Sequence, residues 1–519
     1  MHNSSYSFIL IAFFFSGIFF LCFPIGLVGE VTPMWAEAPR VLISTTPIQD
    51  SILAEFGALQ LRATRPILSF YGIPISLNMY TSALPDWPHF LVYRLSQSPF
   101  AVQLSQLIFS LGFLFILQRK LRPLFSQSWI LLFLLLLISD WNFSFYKKAL
   151  GNTEILLQLS WVLCIIALHQ WHRKDDGSSL LGWGIGLGLL AKITFVLNLF
   201  PITIGLVLIR PKQFSWKKIL LPISLCSLPF LLTLGLFWEQ ELPIQSHDFF
   251  ALQWERIQQA ISGGSSSNRE KSGNLWLWLL DPLPFLHQAY QVQNIATHWL
   301  LRGFGLLIVL GLFWRKRNSK MLMILGVVTL AQILVLSFIA KDLHHLAMVT
   351  PLFYLLLIFL WKENIDLGWK ISICILPFFA GNMQVLFDSS RHLSAVQTPS
   401  FSVESQQKMA TLLQKHQVQK LLTMDYEIYG VLEVLAPEIS VTHSWGAISH
   451  ERMKALPQLL QESKDGHLLV LRSSSGMIYN LRPSTKSLEQ LAKPLGLKIE
   501  LVDTWTNRLW LYSVQASSE

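Results

Sequence analysis

Few residues in this chain combine a reactive side chain with a place where reactivity would matter. Two acids stand in the first long polar stretch. Asp50 opens the amphipathic pattern Ile48–Leu61, and Asp86 sits between Pro85 and Trp87. A carboxylate there can act as a general base toward a hydroxyl or amine if its pKa suits the task. Glu55 lies five residues from Asp50 and therefore off its direct helical face. The cations that stand out are Lys192, deep in the apolar run Leu180–Ile209, and the sequence Lys341-Asp342-Leu343-His344-His345. An ammonium inside an apolar run is costly and marks a functional site by default, against a lysine that snorkels at a turn. Lys and His donate to phosphate oxygens, so Lys192, Lys341, His344 and His345 are candidate phosphate contacts. Arg94 and Arg302 are further candidates. Adjacent histidines chelate a single ion poorly. The four cysteines (Cys22, Cys164, Cys226, Cys374) lie in apolar runs without ligand spacing, so they read as buried small hydrophobes. No metal site is expected; a divalent ion is compatible with the chemistry but not indicated.

The elements that must hold these residues are membrane helices. Of 519 residues, 52% are hydrophobic and 14% charged, with a mean hydropathy of +0.45, whereas soluble domains carry about 25% charged residues. Since a span needs about 20 apolar residues, the sequence predicts about eleven: 7–29, 100–118, 128–145, 154–171, 180–191, 193–209, 219–238, 297–314, 320–340, 345–361 and 371–387. Leu180–Ile209 is too long for one ordinary span and has basic flanks at both ends. It reads as two short helices turning near Lys192.

Basic residues collect in alternate loops: Arg119–Arg122, Arg173-Lys174, Arg210–Lys218, Arg315–Lys320 and Lys362. By the positive-inside bias, the N-terminus is expected inside. Segments 30–99 and 239–297 and everything from 388 on are then expected outside. The net charge of +9 belongs to the spans, because residues 388–519 hold 13 basic and 13 acidic residues. Nucleic acid is therefore not an expected partner. Segment 30–99 is expected to form amphipathic helices on the membrane surface. Segment 239–297 has the composition of a flexible connector around Gly263–Ser267. In the tail, strand-like runs at 420–424, 439–442, 467–471, 498–502 and 508–514 alternate with helical patterns at 428–435, 450–461 and 487–495. The expectation is a soluble α/β domain over 388–519 without a phosphate-binding glycine fingerprint.

This arrangement resembles the GT-C superfamily of membrane glycosyltransferases, in the protein-mannosyltransferase and aminoarabinose-transferase-like branch. The likeness rests on several features in order. An acid follows the first span, and Gly72-Ile73-Pro74, Tyr80 and Phe90–Pro99 lead into the second. A Gly-Leu-x-x-Lys stretch (Gly188, Leu189, Lys192) lies midway, and a domain follows the last span. It covers roughly 1–387. The family's Asp-Glu pair is here Asp50-Ser51, and Gln103 stands where an Arg is common.

The resemblance implies an inverting transferase in a bacterial-type inner (plasma) membrane. Such an enzyme moves a sugar from a polyprenyl-phosphate carrier to a lipid, glycan or protein acceptor on the extracytoplasmic side. Asp50 would be the base or would orient the acceptor. The rival classes are a flippase of lipid-linked glycans and a non-enzymatic scaffold. Neither internal symmetry nor intramembrane acids favour the flippase, since the acids read as lying almost wholly in loops.

Overall fold

A computed structural model describes residues 2–21, 99–140, 143–144, 153–239, 296–339, 348–367, 370–395, 403–423, 438–443, 460–471, 485–505 and 509–517, most of 68–82, and scattered positions at 88–96 and 457. Eleven long helices lie within 2–395: α1 (His2–Leu21), α2 (Pro99–Leu121), α3 (Gln127–Ser139), α4 (Thr153–His172), α5 (Ser178–Ala191), α6 (Leu199–Ile209), α7 (Trp216–Glu239), α8 (Ala296–Arg315), α9 (Lys320–Ile339), α10 (Thr350–Glu363) and α11 (Lys370–Ala395). Leu104–Leu121 and Ile155–His172 are long and apolar enough to cross a bilayer; seven further helices carry shorter apolar stretches.

Large apolar side chains on the helix flanks are exposed, among them Phe13, Ile108, Phe200, Leu221, Leu307 and Trp314. Between the helices runs one continuous core that includes Phe15, Phe133, Phe143, Trp161, Phe195 and Trp361. Exposed apolar flanks of this extent fit hydrocarbon rather than water.

One end of the bundle is tied together by its basic residues. The Lys362 ammonium donates to the Leu124 carbonyl at 3.0 Å, and Arg315 reaches Asn364 at 3.1 Å and pairs with Asp366. Asp176 accepts from Lys218 at 2.7 Å and from the Ser178 N–H at 2.9 Å. The Lys218 ammonium, with the Ser178 hydroxyl and N–H, draws the Asp176 carboxyl down to about 2. Arg119 lies over Phe115, Arg317 over Trp314 and Lys362 over Phe125, at 5.1, 4.7 and 5.5 Å from the ring centroids. Cation and aromatic pairs of this kind mark an interfacial level.

Several helix boundaries depart from the expected spans, and three have a visible cause or extent. α3 stops at Ser139 because Asp140 takes an extended conformation (φ −71, ψ 128). α10 begins at Thr350, with a proline in its first turn, the one place where a missing N–H costs nothing. α11 runs on to Ala395. Segment 68–82 is a correction. Instead of surface helices it holds three short antiparallel strands, β1 (Leu68–Phe70), β2 (Ile73–Asn78) and β3 (Thr81–Ser82). Ile73, Ile75 and Leu77 alternate with Pro74, Ser76 and Asn78, a period of two that suits a pleated strand.

The tail contains α12 (Val403–Lys415), β4 (Lys420–Thr423), β5 (Ser440–His443), β6 (Gly466–Leu471), α13 (Thr485–Ala492), β7 (Leu497–Trp505) and β8 (Leu509–Ala516). The sheet order is β5-β4-β6-β8-β7. β4 runs parallel to β5 and β6, and β8 antiparallel to β6 and β7. Leu422, Leu468, Leu488, Ile499, Tyr512 and Val514 form its own core. Gly496, at φ 64, makes the left-handed turn into β7. The expected strands are all present. The helical pattern at 428–435, and most of that at 450–461, lies outside the described residues.

Candidate functional site

Lys192 sits where the sequence places a turn, and the structure shows how the turn is built. α5 ends at Ala191, and Lys192 is extended (φ −147, ψ 130). A 3-10 segment, Ile193–Asn198, then leads into α6. The Lys192 N–H still donates to the Gly188 carbonyl, and the Phe195 N–H donates to the Lys192 carbonyl, both at 2.9 Å. The Phe195 ring folds back onto Gly188, where a Cβ would stand 2.5 Å from three ring carbons. Trp161 of α4 packs against that ring, centroids 6.0 Å apart. The glycine of the Gly-Leu-x-x-Lys stretch is thus a docking place for Phe195, and this docking fixes the break. Lys192 is 7% exposed.

Polar groups gather around this break. Gln332 of α9 donates to the Asn198 carboxamide oxygen at 2.7 Å, and the Asn198 amide reaches the Met348 sulfur at 3.4 Å. The Gln332 carboxamide oxygen, Oε1, and the Thr329 hydroxyl are buried without a hydrogen-bond partner among the described residues. On α4, one turn apart, both polar atoms of Gln158 and the Trp161 indole N–H are in the same condition. Unpaired buried polar atoms cost about 1–3 kcal/mol each, so these groups are expensive to leave in an apolar core.

A second cluster lies at the C-terminal end of α3. Asp140 is 2% exposed, and its carboxylate accepts from the Tyr354 hydroxyl of α10 at 2.7 Å. The Asn382 amide of α11 donates to the Tyr354 oxygen at 2.7 Å and to Ser139 Oγ at 3.2 Å. α3, α5 and α9 all start at the basic end, so Asp140, Lys192 and Gln332 stand toward the opposite one.

Of the catalytic and phosphate-binding candidates read from sequence, Lys192 is described and is buried at the helix break. Asp50, Asp86, Arg94, Lys341, His344 and His345 lie outside the described residues, as does the helical pattern Ile48–Leu61. Asp140, Tyr354, Asn382, Asn198 and Gln332 were not anticipated. Asp140 carried the missed signal, as an acid inside the apolar run 128–145. Among the described residues, no group of three or more His, Cys, Asp or Glu is placed to hold a metal.

A break of this kind, at the end of a bundle away from its basic residues, can be compared with known proteins. The family model of dolichyl-phosphate-mannose-protein mannosyltransferases matches residues 83–238, the stretch that contains Asp86, Arg94, Asp140, Gly188 and Lys192. ArnT from Cupriavidus metallidurans, solved bound to undecaprenyl phosphate, superposes with a TM-score of 0.56 at 11% identity, over 97% of each chain. The chain has the fold of the GT-C membrane glycosyltransferases. The apo oligosaccharyltransferase of Archaeoglobus fulgidus is a more distant match, with a TM-score of 0.48 and 10% identity over 90% of this chain and 69% of that one. No curated protein matches by sequence. The resemblance read from Asp50, the 72–99 stretch and Gly188–Lys192 is thus borne out at the level of fold.

Proposed function

We propose that the protein is an inverting glycosyltransferase. It spans the membrane eleven times, with its basic ends in the cytoplasm and residues 388–519 outside, and takes a sugar from a polyprenyl-phosphate carrier. The observation that carries this reading is Lys192, an ammonium buried at a helix break away from the basic end. A GT-C neighbour solved with undecaprenyl phosphate supports it. The donor has an apolar tail for the bilayer and an anionic head at its surface. Its phosphate would be met by Lys192, with Lys341, His344, His345 and Arg94 as further donors. A hydroxyl or amine of a lipid, glycan or protein acceptor attacks the anomeric carbon from the face opposite the phosphate. The carbon–oxygen bond to phosphate breaks, polyprenyl phosphate leaves, and the acceptor's proton passes to a carboxylate, Asp50 or Asp86.

The test uses purified protein in lipid with a panel of polyprenyl-phosphate sugars, measuring binding and transfer separately. Lys192→Met should weaken donor binding, because it removes a charge-assisted contact to phosphate. Asp50→Asn should leave binding intact and cut turnover by about 10²–10⁴-fold. Full turnover by Asp50→Asn moves that role to Asp86 or elsewhere. Neither binding nor transfer by the wild type across the panel overturns the reading in favour of a transporter or scaffold.

A further inference from the structure

At the basic end of the bundle, the loop after α4 (173–177) and the loop after α6 (210–215) are joined into one surface beside the start of α7. The Trp171 indole N–H donates to the Gln213 carbonyl at 2.7 Å, and the Trp171 and Phe214 rings stack with centroids 5.6 Å apart. The Ser215 N–H donates to Ser178 Oγ at 3.0 Å, and Lys218 pairs with Asp176. Trp216 stands edge-on to Phe214, centroids 4.8 Å apart, and is itself exposed.

Residues 173–178 and 210–218 hold six basic residues and two acids, Asp175 and Asp176. The Lys218 ammonium answers Asp176. Lys174, Arg210, Lys212 and Lys217 are exposed, and their side chains have no hydrogen-bond or ion-pair partner among the described residues. The loop after α8 differs, because Arg315 and Lys316 are committed to Asp366 and Arg317 lies over Trp314.

The helix that follows continues the pattern into the bilayer. α7 packs on α5 through Ile219, Pro222 and Cys226, which touch Gly182 and Gly186. Its other face is exposed at Lys217, Leu220, Leu221, Leu225 and Leu228. Spacings of three and four put these residues on one face. An ammonium without a partner thus stands one turn before an apolar stripe, with an interfacial tryptophan beside it. A free phosphate would use the cations and leave the stripe idle. An anion that carries acyl chains uses both.

We propose that this surface binds an anionic phospholipid of the surrounding membrane. Its phosphate is held among Lys174, Arg210, Lys212 and Lys217, and its chains lie along Leu220, Leu221, Leu225 and Leu228. The site is independent of the donor reading above, and neither requires the other.

The test counts, by native mass spectrometry, the lipid that the full chain retains from nanodiscs of mixed phosphatidylcholine and phosphatidylglycerol. The wild type should retain phosphatidylglycerol in preference, and inorganic phosphate at the same concentration should not displace it. A basic residue near a membrane surface contributes about fivefold to binding of anionic lipid, so Lys212→Gln/Lys217→Gln should weaken retention about 25-fold. Both side chains are exposed, so the melting temperature in phosphatidylcholine alone should not change. Lys120→Gln/Arg122→Gln removes equal charge from the loop after α2 and should leave retention near the wild-type level, as should Lys192→Met. Undiminished retention by Lys212→Gln/Lys217→Gln overturns the proposal. An equal loss in Lys120→Gln/Arg122→Gln overturns it in favour of diffuse attraction to the basic end, and a loss in Lys192→Met moves the lipid to the donor site. Displacement by inorganic phosphate reduces the surface to a plain anion site and overturns the lipid reading.

Discussion

Replacing Gly188 with alanine adds one methyl group at the tightest point of the proposed site. The new Cβ would stand 2.5 Å from Cγ, Cδ1 and Cε1 of Phe195. Carbon atoms settle at about 3.5–4.0 Å, so the ring must retreat by roughly 1 Å. Trp161 also packs against the ring, so a shift of Phe195 disturbs that contact and the 3-10 segment that carries it. Overpacking of this kind costs about 1–3 kcal/mol, and alanine in a helix returns about 0.5–1 kcal/mol over glycine. The net is a loss of up to about 2.5 kcal/mol, centred on about 1 kcal/mol. Gly112 and Gly311 have nothing within 4 Å of the same added atom, so Gly112→Ala and Gly311→Ala should gain about 0.5–1 kcal/mol.

The sign therefore differs between chemically identical substitutions. Thermal unfolding of the purified variants in lipid reads it directly. A misplacement of about 1 Å near reacting groups can lower turnover by about 10²-fold, so Gly188→Ala should also be slow. Shortening the ring in Gly188→Ala/Phe195→Leu should restore part of both losses. If Gly188→Ala proves as stable as Gly112→Ala and transfers at the wild-type rate, Phe195 does not lock the break.

Three further outcomes follow from the tail and the charge distribution. Residues 396–519, expressed alone, should melt cooperatively around the Leu422–Leu468–Tyr512 core and show no transferase activity; a non-cooperative melt or sugar turnover by the fragment refutes this. Asp503 pairs with Lys415 and His416, both at 2.8 Å, and these two hold its carboxyl well below the usual carboxylate range. A depressed acid stabilises the fold above its unfolded value of about 3.9, and that contribution disappears as pH falls below it. Melting temperatures of the fragment between pH 5 and pH 2 should thus fall more steeply for the wild type than for Asp503→Asn. Finally, a reporter that works only outside the cytoplasm, fused after Glu519, should be active; activity from a cytoplasmic reporter alone reverses the topology.

Much of the helical order was legible in the sequence because apolar run length and basic loops act over whole elements. The turn at Lys192 was legible too, since thirty apolar residues with basic flanks at both ends cannot form one ordinary span. The strands at 420–423, 466–471 and 509–516 carried dense apolar runs with clear limits. The small sheet at 68–82 was hidden by its Pro and aromatic content, which suggested an interface and masked a six-residue alternation. α12 was missed because the sequence 403–415 carries few large apolar residues, with Met409, Leu412 and Leu413 bunched at its end, too few to announce a period. Asp140 was overlooked for a different reason. Its partner Tyr354, and Asn382 beyond it, lie more than two hundred residues away, and nothing local distinguishes a clamped acid from one in a loop.

The helices differ in length in a way that bears on who reaches the site. α3 and α10, largely buried in the middle of the bundle, have 13 and 14 residues and rise roughly 20 Å at 1.5 Å per residue. α2, with its exposed apolar flank, has 23 and rises roughly 35 Å, against a hydrocarbon thickness of about 30 Å. In the proposed orientation, with basic ends at one level, α3 and α10 end about 10 Å short of the far surface. Backbone at that depth must be satisfied by protein or water rather than lipid, which eases the hydration of a charged headgroup there. A carrier lipid sliding in between long outer helices would meet Lys192 without lifting its phosphate clear of the membrane. Its partner in the reaction has to come down from above. A sugar chain end, a lipid headgroup or an unstructured peptide is slender enough for that descent, and the flank of a folded protein is not.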